Sequence, residues 1–200
     1  MISTSLDLVI VGAGGHGRAL ADVIEATNEF QVFGFLDDYQ ETGGSVLGYP
    51  VLGDFEAVPD FVSDTVGFAI GIGQIKSSQQ RQELFRLVKK SGGLLPAIVS
   101  PHSYVSRRSN LGNGTVVFHG AVVSVGAVIG ENCIINSMAL IEHDVRIEDH
   151  CHISTGARVN GGVEIGEGSF LGSSSIIIQE QKVTPYSFIP AGARFDSSPK

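Results

Sequence analysis

Residues 111–194, taken in sixes, read LGNGTV VFHGAV VSVGAV IGENCI INSMAL IEHDVR IEDHCH ISTGAR VNGGVE IGEGSF LGSSSI IIQEQK VTPYSF IPAGAR. The first member of every hexad is aliphatic, from Leu111, Val117 and Val123 through Ile141 and Ile153 to Ile189, without an insertion. Val99 and Val105 extend the frame backward. At a generous chance of about one in three per position, such a run arises with a probability below about 10⁻⁶, so it is a repeat. The fifth member is usually small, as at Thr115, Ala121, Ala127, Cys133, Ala139, Cys151 and Ala157. Six residues make one short strand plus a bend, and three hexads close an 18-residue triangular coil. Aliphatics then fill the interior, and small residues fit where the wall turns. The strands of each wall pair with those of the coils above and below, about 4.8 Å away. Prisms of this kind are left-handed parallel β-helices, an exception to the usual right-handed crossover. Cys133 and Cys151 lie one coil apart and are expected to stack inside as a reduced pair.

Ahead of the repeat the rhythm is different. Leu6–Val11 is a continuous apolar run of the kind buried on both faces of a sheet. It enters Gly12-Ala13-Gly14-Gly15-His16-Gly17, after which Leu20, Val23 and Ile24 recur at helical spacing. Gln31–Leu36 is a second strand ending at Asp37-Asp38, and Val46–Leu47 with Val51–Leu52 predict a small hairpin. Val66–Ile72 is a third strand, Ser77–Lys90 a helix with Lys89 and Lys90 at its C-terminal end, and Leu94–Val99 a fourth strand. The expected organisation is a small Rossmann-like α/β domain over residues 1–98, followed by a left-handed parallel β-helix over 99–200.

Composition removes several classes of function. Thirteen basic against twenty-one acidic residues give a net charge of −8, which argues against a nucleic-acid partner held by phosphate neutralisation. No apolar run approaches the roughly 20 residues of a membrane span. The opening MISTSLDLVIVGAGG carries neither a basic leader nor a small-residue cleavage site. Two cysteines are too few for a disulfide scaffold and suit a reducing, cytoplasmic setting. His143, His150 and His152 fall on different parts of one coil and do not converge as zinc ligands, so no metal is expected.

Gly12, Gly14 and Gly17 form G-x-G-x-x-G between strand and helix, with Asp37 twenty residues after Gly17. Physically, this says that backbone N–H groups and a helix N-terminus approach an anion closely. A nicotinamide dinucleotide fits poorly, because fewer than 100 residues precede the prism and no domain is left for hydride chemistry. Simple packing of helix on strand is the bland alternative.

A small nucleotide-binding-type domain fused to an uninterrupted hexapeptide prism resembles the bacterial sugar N- and O-acyltransferases of PglD and NeuD type. The resemblance rests on VGAGGHGR, on FLDD at the second strand, on AIGIG at the third and on IINSMALIEHD in the prism. It implies transfer of an acetyl group from acetyl-CoA to the amino group of a nucleotide-linked amino sugar, in a homotrimer with its site between neighbouring prisms. O-acetylation of a sugar acid such as sialic acid is the alternative within enzymes. A non-catalytic trimeric ligand-binding scaffold is the alternative outside them.

By that resemblance the nucleotide-sugar lies at the glycine loop, with Gly14 and His16 near its diphosphate and sugar, Asp37 or Asp38 on the nucleoside, and Gly73 and Asn136 near the acceptor. His143 takes the place of the catalytic base, and Asp144 that of the family's usual glutamate beside it. His152 matches a histidine near the acetyl end of the coenzyme. The residue types suit the task. His143 stands third in its hexad, where side chains leave the prism, and an acidic neighbour fixes an imidazole's tautomer and raises its basicity. Aminolysis of a thioester needs one base near neutrality. Gly161, 18 residues after His143, comes back to the same bend one coil on and is a candidate to offer its N–H to the oxyanion. Both cysteines face inward, which favours direct attack over an acyl-enzyme. Val116, Val122 and Val128 are expected on exposed walls, where they would invite side-by-side packing.

Overall fold

A computed structural model describes residues 5–75 and 77–197. The first four residues, part of the stretch read above for a leader, and residues 198–200 of the tail lie outside them. The chain forms two compact units. One holds the described residues up to Gly73 together with Gln79–Pro96; the other holds the described residues within 74–78 and from Ala97 onward.

The first unit is a five-stranded sheet. β1 (Leu6–Val11) lies between β2 (Phe30–Leu36) and β5 (Val66–Ile70), parallel to both, and β4 (Tyr49–Gly53) pairs parallel with β2 on the outer side. β3 (Ser45–Val46) closes the edge as the antiparallel arm of the expected hairpin. Its turn places Leu47 and Gly48 at φ of 53° and 85°, the left-handed values that a two-residue hairpin turn requires. Helices α1 (Gly15–Glu25) and α2 (Gln79–Lys90) complete the unit. Leu84, Phe85 and Val88 of α2 are buried in one cluster with Val9, Val11, Leu36, Phe68 and Ile70 of the sheet.

The fourth sheet strand expected at Leu94–Val99 does not form. Leu94 makes one isolated bridge to Gly67, and Pro96 lacks the N–H that would continue the ladder. Ile98–Val99 instead pairs with Val116–Val117 and begins the prism.

The second unit contains seventeen two-residue strands, β6 (Ile98–Val99) to β22 (Arg194–Phe195), in three parallel sheets. Each strand consists of the sixth member of one hexad and the first of the next. We number the walls in chain order: wall 1 starts with β6, wall 2 with Tyr104–Val105 and wall 3 with Asn110–Leu111. The pairing is 18 residues apart throughout, as in Ile141 with Val159 and Ile153 with Leu171, so this is the left-handed parallel β-helix. First members from Val117 to Ile189 are buried, and so are most fifth members, including Thr115, Cys133, Val145, Cys151 and Ser169.

Every fourth member from Gly114 to Gly192 has positive φ. Half are glycine, which adopts this conformation without strain. The others include Asn132, Asp144 (φ 60°) and His150, so side chains occur even at left-handed bend positions. Val116 is buried rather than exposed, because it lies in wall 1 between Ile98 and Ile134, themselves buried. Val122 is half-buried and Val128 is open.

Candidate active site

The glycine loop separates packing from binding. Gly12 has φ +111°, and a Cβ on Gly17 would lie 1.9 Å from the Gly12 carbonyl oxygen, so both positions require glycine for the loop itself. Gly14 and Gly15 are different: a Cβ there would meet nothing within 4 Å. Gly14 caps α1 without any side-chain hydrogen bond, and the first turn of that helix has no acidic residue. The N-terminal N–H groups of α1 therefore open onto space suited to an anion. His16 stands in this first turn, and a Cβ on Gly73 would lie 3.4 Å from the His16 Cβ, so Gly73 leaves room beside the imidazole.

Asp37 is buried and serves the loop. Its Oδ2 accepts from Ala13 N–H at 2.7 Å, and its Oδ1 accepts from Tyr39 N–H and Gln40 N–H. Asp38 is exposed; its Oδ1 accepts from Phe55 N–H at 3.0 Å. Of the two candidates for the nucleoside, Asp38 is thus the one presented to solvent.

In the prism, His143 and Asp144 occupy the bend from wall 2 to wall 3, between Leu140–Ile141 and Arg146–Ile147. The ring leaves the prism, with its side chain 62% exposed. His143 Nδ1–H donates to Asp144 Oδ2 at 3.0 Å, so the neutral ring keeps its lone pair on Nε2. This hydrogen bond raises the His143 pKa above its ordinary value, partial desolvation opposes it, and the charges of Asp144 and Glu142 add to it. Asp144 has room because its neighbour one coil back is Gly126, where a Cβ would fall 2.3 Å from Asp144 Oδ1.

Gly161 lies one coil on. A Cβ there would come within 2.6 Å of His143 Nε2 and 2.7 Å of Cε1, so the imidazole occupies space that only glycine leaves free. At this bend the coil-to-coil ladder runs from Gly162 N–H to His143 O and from Glu180 N–H to Gly161 O, and it does not use the Gly161 N–H. Beside the bend, wall 3 carries a groove of about 480 Å³ lined by Val128, Arg146, Glu164 and Lys182 among others. Lys182 Nζ pairs with Glu164 Oε2 at 2.8 Å there.

His152 and Asn136 form a separate cluster on wall 1. His152 is buried; its Nδ1–H donates to Gln74 O at 2.6 Å, and Asn136 Nδ2–H donates to its Nε2 at 3.1 Å. Gln74 Nε2–H donates to Gly168 O at 3.1 Å. Nothing local in the sequence pairs Gln74 with His152, since the two are 78 residues apart.

Both cysteines are free and buried, and their thiols donate to carbonyls one coil away, Cys133 to Glu148 O and Cys151 to Gly166 O. The Cys133 thiol and burial push the Cys151 pKa up, the reverse of what a nucleophile needs. Among the described residues no three His, Cys, Asp or Glu side chains converge as a metal site, and no helix is long and apolar enough to cross a membrane.

A Rossmann-like unit joined to a hexapeptide prism, with one imidazole held outward by a carboxylate, defines a hexapeptide-repeat acyltransferase. The comparisons agree. Residues 7–88 match the PglD N-terminal domain family, and residues 126–161 match the bacterial transferase hexapeptide family of six repeats. The acetyltransferase domain of PglB from Neisseria gonorrhoeae FA1090 is 30% identical, with a TM-score of 0.89 over 95% of this chain and 91% of that one. The same domain has been solved with acetyl coenzyme A, at 29% identity, a TM-score of 0.84 and 95% coverage of each chain. A histidine-to-asparagine variant of perosamine N-acetyltransferase from Caulobacter crescentus, in complex with CoA and GDP-perosamine, is 29% identical, with a TM-score of 0.87 over 95% of this chain and 88% of that one. Comparison with curated protein sequences gives no significant match. The chain belongs to the bacterial sugar acyltransferases with a PglD-type N-terminal domain.

Proposed function

We propose that this protein transfers the acetyl group of acetyl-CoA to the amino group of a nucleotide-linked amino sugar, with His143 as general base. The observation that carries the reading is the His143 geometry: Nδ1–H is committed to Asp144, and the Nε2 lone pair stands outside the prism over Gly161. The amine nitrogen attacks the thioester carbonyl carbon, forming the C–N bond as the C–S bond breaks. His143 Nε2 takes the proton that the nitrogen loses and returns it to the departing thiolate. Gly161 N–H is the donor offered to the oxyanion. The tautomer assignment and the absence of an activated thiol both favour direct attack.

The neighbours support the substrate classes, being solved with acetyl coenzyme A in one case and with CoA and GDP-perosamine in another. Two structures of the Caulobacter enzyme carry a histidine replaced by asparagine or alanine. The open N-terminus of α1 at Gly14 suits the diphosphate of a nucleotide-sugar, and Asp38 suits a hydroxyl or ring N–H of its nucleoside.

The outward bend of His143 and the wall-1 cluster of Asn136 and His152 lie on different parts of one prism. A trimer bringing the bend of one copy to wall 1 of the next would unite them, and Val122 and Val128 offer apolar surface for such packing. The test is a panel of UDP-, GDP- and dTDP-linked amino sugars with acetyl-CoA, read by thiol release and product mass. Acetylation at nitrogen, abolished in His143→Ala with coenzyme binding retained, is the expected result. Near-full activity in that variant would remove the mechanism, and O-acetylation of a free sugar acid would replace the substrate class. Light scattering at a mass other than three chains would remove the shared site.

A further inference from the structure

The bend that carries His143 is a column of stacked rungs. Hydrogen bonds from Gly126 N–H to Arg108 O, Asp144 N–H to Val125 O, Gly162 N–H to His143 O and Glu180 N–H to Gly161 O join its successive coils. Read from the N-terminal end, the paired third and fourth hexad members are Arg107–Arg108, Val125–Gly126, His143–Asp144, Gly161–Gly162 and Gln179–Glu180. Rungs are about 4.8 Å apart, so the arginine rung stands about 9–10 Å from the imidazole rung.

The column changes chemistry from rung to rung. Arg107 and Arg108 are both exposed, and among the described residues neither guanidinium makes a hydrogen bond or an ion pair. The backbone beneath them is pinned: Ser106 Oγ accepts from Arg108 N–H at 3.2 Å, and Ser109 Oγ–H donates to Ser106 O at 2.7 Å. Two adjacent like charges repel, and an anion held by both relieves that repulsion. On the next rung Val125 is 48% exposed and Gly126 adds no side chain, which leaves an apolar step before the base. Beyond the base, Gly161–Gly162 is bare. Glu180 then places an exposed acid at the end of the column opposite the two cations.

That order matches one substrate laid along the bend. In a nucleotide-linked amino sugar, the ring and its glycosidic oxygen separate the amine from the nearest phosphate. With the amine at His143, the C–H face of the ring falls at Val125 and the phosphate comes within reach of the arginines. The acetyl carbonyl then lies on the other side, at Gly161. Glu180 repels a phosphate laid in the opposite sense. The coenzyme does not fit this span, because its whole pantetheine arm separates the thioester from the diphosphate.

We propose that Arg107 and Arg108 bind the sugar-linked phosphate of the acceptor and so set its register along the bend. A planar guanidinium suits a phosphate as a two-pronged donor. A diphosphate has a second phosphate to offer, so this anchor adds to the N–H groups at Gly14 rather than replacing them. The role rests on the acetyl-transfer reading, whereas diphosphate binding by the arginines is measurable without turnover.

The experiment compares the wild type with Arg107→Gln, Arg108→Gln, the double Gln variant and the double Lys variant, all in the full chain. Both positions are exposed, so these proteins are expected to fold as the wild type does. Each Gln variant is expected to raise the KM for the nucleotide-linked amino sugar about tenfold, the size of one hydrogen bond to a charged group. The kcat and the KM for acetyl-CoA are expected to stay within about twofold, as when uniform binding is lost. The Lys pair keeps the charge without the fork and is expected to recover part of the loss. Added salt is expected to raise the acceptor KM in the wild type and far less in the double Gln variant. Without turnover, inorganic pyrophosphate is expected to shield the peptide holding residues 107–108 from phenylglyoxal, an arginine-selective reagent, while the exposed Arg158 stays reactive. An unchanged acceptor KM in the double Gln variant would overturn the proposal and leave acetyl transfer standing. A raised KM for acetyl-CoA alone would overturn it too, giving the arginines to the coenzyme. Should the wild type acetylate no amino sugar, the functional reading fails. Selective shielding of residues 107–108 would still establish the diphosphate site, and equal or absent shielding would remove it.

Discussion

Two histidines nine residues apart on the same coil show opposite uses of one side chain. His143 stands at a bend, 62% exposed, with one ring nitrogen bound to a carboxylate and the other open. His152 stands in a wall, buried, with both nitrogens bound to uncharged groups. An imidazole can cycle a proton only where one nitrogen is free and the charged form is tolerated. The bend meets both conditions and the wall meets neither. Hexad position decides it, because third members leave the prism whereas a sixth member lies in the wall.

Breaking the bend is expected to cost most. His143→Ala removes the base, and turnover is expected to fall by about 10²–10⁴-fold, the usual contribution of positioned general-base catalysis. Equilibrium dialysis with CoA and a thermal melt are expected to stay close to the wild type, because the ring is largely exposed and lies outside the buried core of the prism. A comparable loss in His152→Ala with intact hydrogen exchange at residues 73–78 would erase the distinction between the two rings.

Gly161→Ala tests whether the ring position matters as well as the ring. Gly161 itself is outside the positive-φ region, so alanine strains no backbone there, but its Cβ would fall 2.6 Å from His143 Nε2. The exposed ring swings away more easily than the wall deforms. Misplacing a catalytic group by about an ångström is expected to cost about 10²-fold in kcat with folding intact. A melt lowered by several degrees with full kcat would instead make Gly161 a packing residue only.

Much of this arrangement is legible in the sequence, for a physical reason. The prism is written in a local period: each aliphatic first member goes inside, and each bend repeats six residues later, so Ile141 inward and His143 outward both follow from counting. The glycine fingerprint is local too, and α1 begins in it. What depends on pairing across the chain is not written locally. Leu94–Val99 has the composition of a sheet strand, yet Ile98–Val99 joins Val116–Val117. Asp37 looks like a ligand contact, yet its carboxylate closes the glycine loop through Ala13. His152 reads as a rim histidine until Gln74 is found on its Nδ1. In each case the deciding partner is an element distant in sequence.

Asp144→Asn sharpens the bend further. The Asp144 hydrogen bond raises the His143 pKa above 6.5, and the base works only when neutral. Hence kcat/KM is expected to fall as pH drops through that raised value and to plateau above it. Replacing the carboxylate removes the charge, so the acid limb moves down toward 6.5 while the plateau falls roughly tenfold, the exposed pair being screened by water. A limb that stays in place would mean that another group titrates.

Glu142→Gln is expected to do least. Glu142 contributes charge and no hydrogen bond to the ring, whereas Asp144 supplies both. Its removal is expected to lower the acid limb by about a few tenths of a pH unit and to leave the plateau within about twofold, as for an exposed charge in salt. Raising ionic strength is expected to lower the acid limb in the wild type and, through the remaining Asp144 charge, in Glu142→Gln as well. A plateau loss as large as that of Asp144→Asn would make Glu142 the carboxylate that orients the imidazole during turnover. The short aspartate would then be a bend residue whose left-handed φ and contact with Gly126 are its whole purpose.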